Sequence, residues 1–285
     1  MLILAAVMKH TIIIFLIFPI LCSNAVSKNY KEYIDESFEC IDKEDWACAE
    51  EAILAALHAE PANPQNSLLM SNLGTVQRLQ GKTAEAIRSY SNALMITPRS
   101  VTLLKNRAAL YAEIDSLDGA LVDYTSVISL DTDDEEAIYR RGMIYLEKRD
   151  TLAARMDFER LLQVNPASSD ARVGLATLMK FRNYHKEAAD LYTQVISFNK
   201  NDAALYFGRA EAYFYMGRIA KAREDIKKAM ELDGNDPLFY ILRSRINWAQ
   251  YEKEAAYADL DKALELGASP RSVESVREEF RMYDK

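Results

Sequence analysis

Seven alanines, Ala49, Ala86, Ala120, Ala154, Ala188, Ala222 and Ala256, stand 34 residues apart, save for one step of 37 between the first two. Even in an alanine-rich chain, the odds of such a register arising by chance are on the order of one in a hundred thousand. The chain is a repeat array. A unit of this length is one supersecondary element, and it buries its apolar face only against its neighbours. The register therefore implies a continuous core with no internal boundary.

Aligned on the period, the windows run 30–63, 67–100, 101–134, 135–168, 169–202, 203–236 and 237–270. Their eighth position is always small: Ser37, Gly74, Ala108, Gly142, Ala176, Ala210 and Ser244. The twenty-fourth is always bulky: Ile53, Tyr90, Tyr124, Phe158, Tyr192, Ile226 and Leu260. Small residues let two antiparallel helices approach closely while the bulky ones fill the space beside them. Pro61, Pro98 and Pro166 fall where a second helix would end. This pattern resembles the tetratricopeptide repeat, most closely in Leu73-Gly74, Ala86-Ile87, Tyr90, Ala93-Leu94 and Pro98. The resemblance implies an all-α fold, an α-solenoid coiled as a right-handed superhelix of about seven helix-turn-helix units. Pro64-Gln65-Asn66 reads as an insertion that explains the longer step, and 271–285 as an amphipathic capping helix built on Val273, Val276 and Phe280.

A second regularity is electrostatic. Arg stands at the seventh position of four repeats (Arg107, Arg141, Arg209, Arg243), and the same four carry Asp at the twenty-third (Asp123, Asp157, Asp225, Asp259). The other repeats have neither. Because the two residues track within a repeat and not between successive ones, they are expected to form a bridge joining its two helices.

The N-terminus differs in kind. Lys9 and His10 precede an apolar run from Thr11 to Leu21, and Ser23-Asn24-Ala25 offers small residues before a cut ahead of Val26. Residues 1–25 thus have the layout of a secretory signal peptide. The run is short for a membrane span. Lipid attachment at Cys22 is the alternative, and Leu21 directly before it is bulky for that signal. Cleavage leaves Cys40 and Cys48, eight residues apart across a helix-turn-helix; they form either one disulfide or two small buried thiols.

Chemistry-bearing motifs are absent from the sequence. It has no metal-ligand spacing, phosphate loop or nucleophile elbow, so neither a metal nor a cofactor is expected and the chain reads as non-enzymatic. The acidic run Asp131–Glu136 reads as a solvated turn ahead of a helix. A net charge of −8 without a basic cluster argues against nucleic-acid binding.

In the family resembled, the first helices line a ligand groove. Carried over residue by residue, that implies a recognition surface of Tyr139, Arg140, Met143, Lys180, Phe181, Phe207, Phe214, Tyr215, Arg245 and Trp248. Aromatics with arginine are the usual anchors of a protein or peptide site. The carboxylate clamp of some family members is incomplete, since Ser71, Thr75 and Glu136 stand where two lysines and an asparagine are required. The reading is an exported scaffold, periplasmic or extracellular in a bacterial envelope, that binds a protein or extended peptide. Its alternatives are a lipid-tethered envelope-assembly factor, meeting the membrane only through Cys22, and a carbohydrate-capturing repeat protein.

Overall fold

A computed structural model describes residues 28–283, so the proposed signal segment and Cys22 lie outside the described residues. Among those residues there are fifteen helices and no strand. The chain divides into two compact units between Pro61 and Ala62. Pro61 and Pro64 interrupt the backbone within four residues, and the Gln65 amide donates to Asn63 Oδ1 at 2.9 Å. The insertion thus builds a turn of its own in place of the short link used between later repeats.

The first unit is one helical hairpin, α1 (Tyr30–Asp42) and α2 (Trp46–Ala59). Asn29 opens α1 with a capping box to Glu32, and Asp45 caps α2 by accepting from the Cys48 amide. Ser37 and Cys40 are buried on α1, and Ala49, Ala52, Ile53 and Ala56 give α2 its inner face.

The second unit repeats that hairpin six times and adds one helix. Its pairs are α3 (Asn66–Leu79) with α4 (Thr83–Ile96), α5 (Val101–Glu113) with α6 (Leu117–Leu130), and α7 (Glu135–Glu147) with α8 (Thr151–Val164). There follow α9 (Ser169–Phe181) with α10 (His185–Phe198), α11 (Ala203–Tyr215) with α12 (Ile219–Leu232), and α13 (Pro237–Ala249) with α14 (Lys253–Glu265). Each helix packs on the next, and α7 also reaches α9, α9 reaches α11, and α11 reaches α13, so first helices share one face. The final helix, α15 (Pro270–Tyr283), seats Val273, Val276 and Phe280 on α13 and α14, closing the last apolar face.

Every hairpin turns through a left-handed residue at the fifteenth repeat position: Glu44, Gly81, Asp115, Arg149, Asn183, Gly217 and Tyr251, with φ from 56° to 73°. The turn is a Schellman closure, in which the next amide reaches back into the helix, as in Ser116 N to Tyr111 O and Arg218 N to Tyr213 O, both 2.8 Å. Only two of the seven residues are glycine, so sequence composition conceals the turn.

Packing between the helices of a repeat has no slack. The period-setting alanines are fully buried, and the ring at position twenty-four fills the adjoining space. Phe158 is the limiting case. A Cβ on Gly142 would come within 2.7 Å of its ring and one on Gly174, in the following repeat, within 2.4 Å. One phenyl group is therefore gripped by two glycines from consecutive units. Gly174→Ala should destabilise the protein by about 1–3 kcal/mol, because a buried ring must leave its rotamer or push the helices apart. Denaturant melting checks this; an unchanged midpoint would mean that the ring relocates freely.

Candidate functional site

The arginines at position seven are built into the scaffold. Arg107, Arg141, Arg209 and Arg243 each donate through Nε and Nη2 to the two carboxylate oxygens of Asp123, Asp157, Asp225 and Asp259, at 2.5–2.9 Å. This is the bidentate fork that guanidinium and carboxylate geometry favours. Hydrogen bonding to the aspartate raises each guanidinium above its ordinary pKa.

In three of the four, Nη1 also reaches a hydroxyl on the preceding repeat: Arg107 to Ser91 at 2.9 Å, Arg141 to Thr125 at 3.3 Å, Arg209 to Thr193 at 3.1 Å. The bridge therefore joins repeats as well as helices. That second role was readable in the sequence, because a hydroxyl stands at position twenty-five immediately before each of those repeats. Before the fourth, the residue is Lys227, and the Arg243 side chain is 37% exposed where the others are 15–20%. Asn247 Nδ2 donates to Asp259 at 2.9 Å there instead.

The residues expected to form the recognition surface divide into three groups. Some are consumed by packing. Tyr139 lies against Phe158, with centroids 6.2 Å apart, and Phe207 against Phe239 at 5.1 Å. Trp248 stacks on Phe280 of the capping helix at 4.3 Å, within 2° of parallel. The reason is that position five or twelve of one first helix meets the next helix before it meets solvent. Other residues are neutralised: Lys180 pairs with Glu211, and Arg245 with Glu279 at 3.1 Å. Both charges are thus ion-paired within the structure.

The remaining residues, together with Arg245 and one edge of Trp248, line two clefts in the second unit. One, of about 770 Å³, is bounded by Arg140, Met143 and Phe181 from the expected set, together with Arg78, Tyr124 and Arg149. Its walls come from α3, α5, α7 and α9, with Tyr124 reaching through from α6. Burial pushes the Tyr124 phenol above its ordinary pKa, so it stays a neutral donor at physiological pH. The other cleft, of about 590 Å³, holds Phe214, Tyr215, Arg245 and the remaining edge of Trp248, rimmed by Tyr251. Tyr215 stacks on His185 at 5.1 Å and makes an edge contact with Phe214 at 5.5 Å. Arg149 and Tyr251 were missed by sequence reasoning, since both sit on turns that carry no apolar period.

Cys40 and Cys48 are joined by a disulfide across the first hairpin, with Cα atoms 5.7 Å apart. The acidic run is a helix start: Asp134 accepts from the Ala137 amide at 2.8 Å, and Lys105 approaches Asp134 at 3.2 Å and Glu136 at 2.5 Å. Among the described residues no cluster of His, Cys, Asp and Glu could hold a metal ion, and no helix is long and apolar enough to cross a membrane.

Comparison with known proteins agrees with this architecture. The Tetratricopeptide repeat family models match residues 135–168 and 203–236, each coincident with one period of the alanine register. A crystallised tetratricopeptide repeat protein from Parabacteroides merdae is 39% identical, with a TM-score of 0.80 over 88% of this chain and 98% of that one. The chain belongs to the tetratricopeptide repeat proteins. The Cut9 and Hcn1 assembly shares the fold at 13% identity and a TM-score of 0.67, over 90% of this chain and 57% of that one. DnaJ homolog subfamily C member 3 of Mus musculus is 25% identical over 209 residues, 68% of this chain and 42% of the relative. DnaJ homolog subfamily C member 7 homolog of Dictyostelium discoideum is 24% identical over 208 residues, 67% of this chain and 39% of the relative. The chain thus spans about two-fifths of the length of these curated relatives.

Removing one partner of a buried bridge strands the other charge. Arg141→Ala or Asp157→Ala should each cost about 3 kcal/mol or more, and the double variant much less than their sum. Arg243→Ala, at the more exposed fourth bridge, should cost less than Arg141→Ala. Additive losses in denaturant melting would show that the pair is not coupled.

Proposed function

We propose that this protein is a non-enzymatic scaffold that binds a segment of another protein along the first-helix face of its second unit. The observation carrying this reading is the cleft around Arg140, Met143, Tyr124 and Phe181, to which four successive repeats contribute. It combines apolar side chains with arginine, the residue mixture that anchors protein interfaces. The repeat scaffold holds those groups at fixed offsets, so affinity draws on preorganisation more than on any single contact.

We also propose that the protein works outside the cytoplasm. The signal-like segment at 1–25 supports this, and so does the Cys40–Cys48 disulfide, a bond that oxidising compartments maintain. Intact-mass measurement of protein recovered from fractionated cells should give a chain beginning at Val26 with two fewer hydrogens than its free-thiol form. A lipid adduct on Cys22 would replace this reading with the tethered one, and an uncleaved cytosolic chain would refute export.

Photo-crosslinking tests the binding face. A crosslinking residue placed at Met143 or Phe181 should capture the partner in the native cell, whereas one at Met156, exposed on α8, should not. Capture only from Met156 would move binding to the second helices.

A further inference from the structure

The cleft also carries information about what occupies it. Ion pairing neutralises most cations on the first-helix face: Arg78 Nε donates to Glu113 at 3.0 Å, Lys105 meets Asp134 and Glu136, Lys180 meets Glu211, and Arg245 meets Glu279. Arg140 and Arg149 are different. Among the described residues neither has a carboxylate within salt-bridge distance, and both line the 770 Å³ cleft.

Arg149 is also in an unfavourable place. Its φ is 62°, in the left-handed region where the equivalent positions of two other repeats hold Gly81 and Gly217. Glu44, Asp115, Asn183 and Tyr251 take the same conformation in other hairpins, so the turn fixes where the Arg149 side chain leaves the backbone. Its guanidinium lies over the Phe181 ring, 5.6 Å from the centroid. Stacking of that kind leaves the planar edge of the guanidinium available for two parallel hydrogen bonds to an oxyacid.

We infer that the cleft recognises an extended peptide bearing two side-chain carboxylates that flank an apolar residue, one carboxylate held by Arg140 and the other by Arg149. The inference rests on the first-helix reading above. Helical rise puts Arg140 about 11 Å from the end of α7 at Glu147, and Arg149 lies two residues further on, in the turn. An extended chain covers that span in about four residues, so the acids stand four positions apart. The residue midway between them, on the same face as both, drops its side chain between Met143 and Phe181. Because Ser71, Thr75 and Glu136 occupy the clamp positions, the carboxylates recognised belong to side chains and a free C-terminus is not required. Glu147 lines the same cleft and opposes an anion there.

Fluorescence anisotropy with the acetylated, amidated peptide Glu-Ala-Phe-Ala-Glu tests the inference, against the isosteric peptide in which both acids are Gln. The acidic peptide should bind at least tenfold more tightly. Arg149→Gly should weaken its binding about tenfold while raising Tm by about 2–4 °C, because glycine relieves the turn. That opposite movement separates lost recognition from lost folding. Glu147→Gln should tighten binding about threefold. Equal binding of the two peptides would overturn the charge assignment while leaving the first-helix reading intact. Binding of neither, with partner capture persisting at Phe181, would overturn it too. Binding of neither, together with no capture at Met143 or Phe181, would bring down the first-helix reading itself.

Discussion

The fold depends on how closely two helices of a hairpin can approach, and on what fills the gap beside the contact. Position twenty is alanine in every repeat because anything larger would part the helices, and it is fully buried in each. Position twenty-four carries the volume. In three of the four repeats where that volume is a ring, clearance comes from glycine on a facing helix: Gly74 for Tyr90, Gly142 and Gly174 for Phe158, Gly208 for Tyr192. The two glycines at Phe158 lie in different repeats, so one side chain sets both the hairpin spacing and the stacking of the next hairpin. Interiors packed at this density do not deform continuously, which explains how a one-dimensional array holds a defined surface.

The arginine bridges add directionality to that packing. Hydrophobic contact alone tolerates sliding, whereas a fork from Arg141 to Asp157 with a third bond to Thr125 fixes three helices at once. The aspartates are nearly inaccessible to water, so each bridge strengthens position more surely than it adds net stability. Where Lys227 stands in place of the hydroxyl, Arg243 is more exposed, and Arg223 Nη2 donates across the junction ahead of α13 to Asn247 Oδ1.

Much of this was legible in the chain because it repeats. The alanine period located the hairpins, and the co-occurrence of Arg and Asp inside four repeats located the bridges without any structural information. The features that escaped notice are those without a periodic residue type. The left-handed turn recurs in every hairpin, yet Glu, Asp, Arg, Asn and Tyr fill it in five of the seven and Gly in two, because backbone hydrogen bonds dictate it. Ion pairing across first helices was hidden for a different reason. It depends on the offset between repeats, so Arg78 meets Glu113 from position twelve to thirteen while Lys180 meets Glu211 from position twelve to nine. A residue's repeat position therefore tells which face it occupies and leaves open whether a neighbour has claimed it.

That distinction changes what the first-helix face means. Read by position, it is a stripe of aromatics and cations; read by contact, most of the stripe is already satisfied. Phe207, Tyr139 and one face of Trp248 hold repeats and cap together, and Lys180 and Arg245 spend their charge internally. A satisfied group contributes little to a ligand, because engaging it first requires breaking what it has. Selectivity must then arise where the scaffold leaves groups unsatisfied or holds them at a conformational disadvantage. Arg140 and Arg149 meet the first condition, since neither is ion-paired, and the Arg149 guanidinium stacks on an exposed ring. In an otherwise self-neutralised face of an acidic chain, these two arginines are where an incoming carboxylate has no existing ion pair to break.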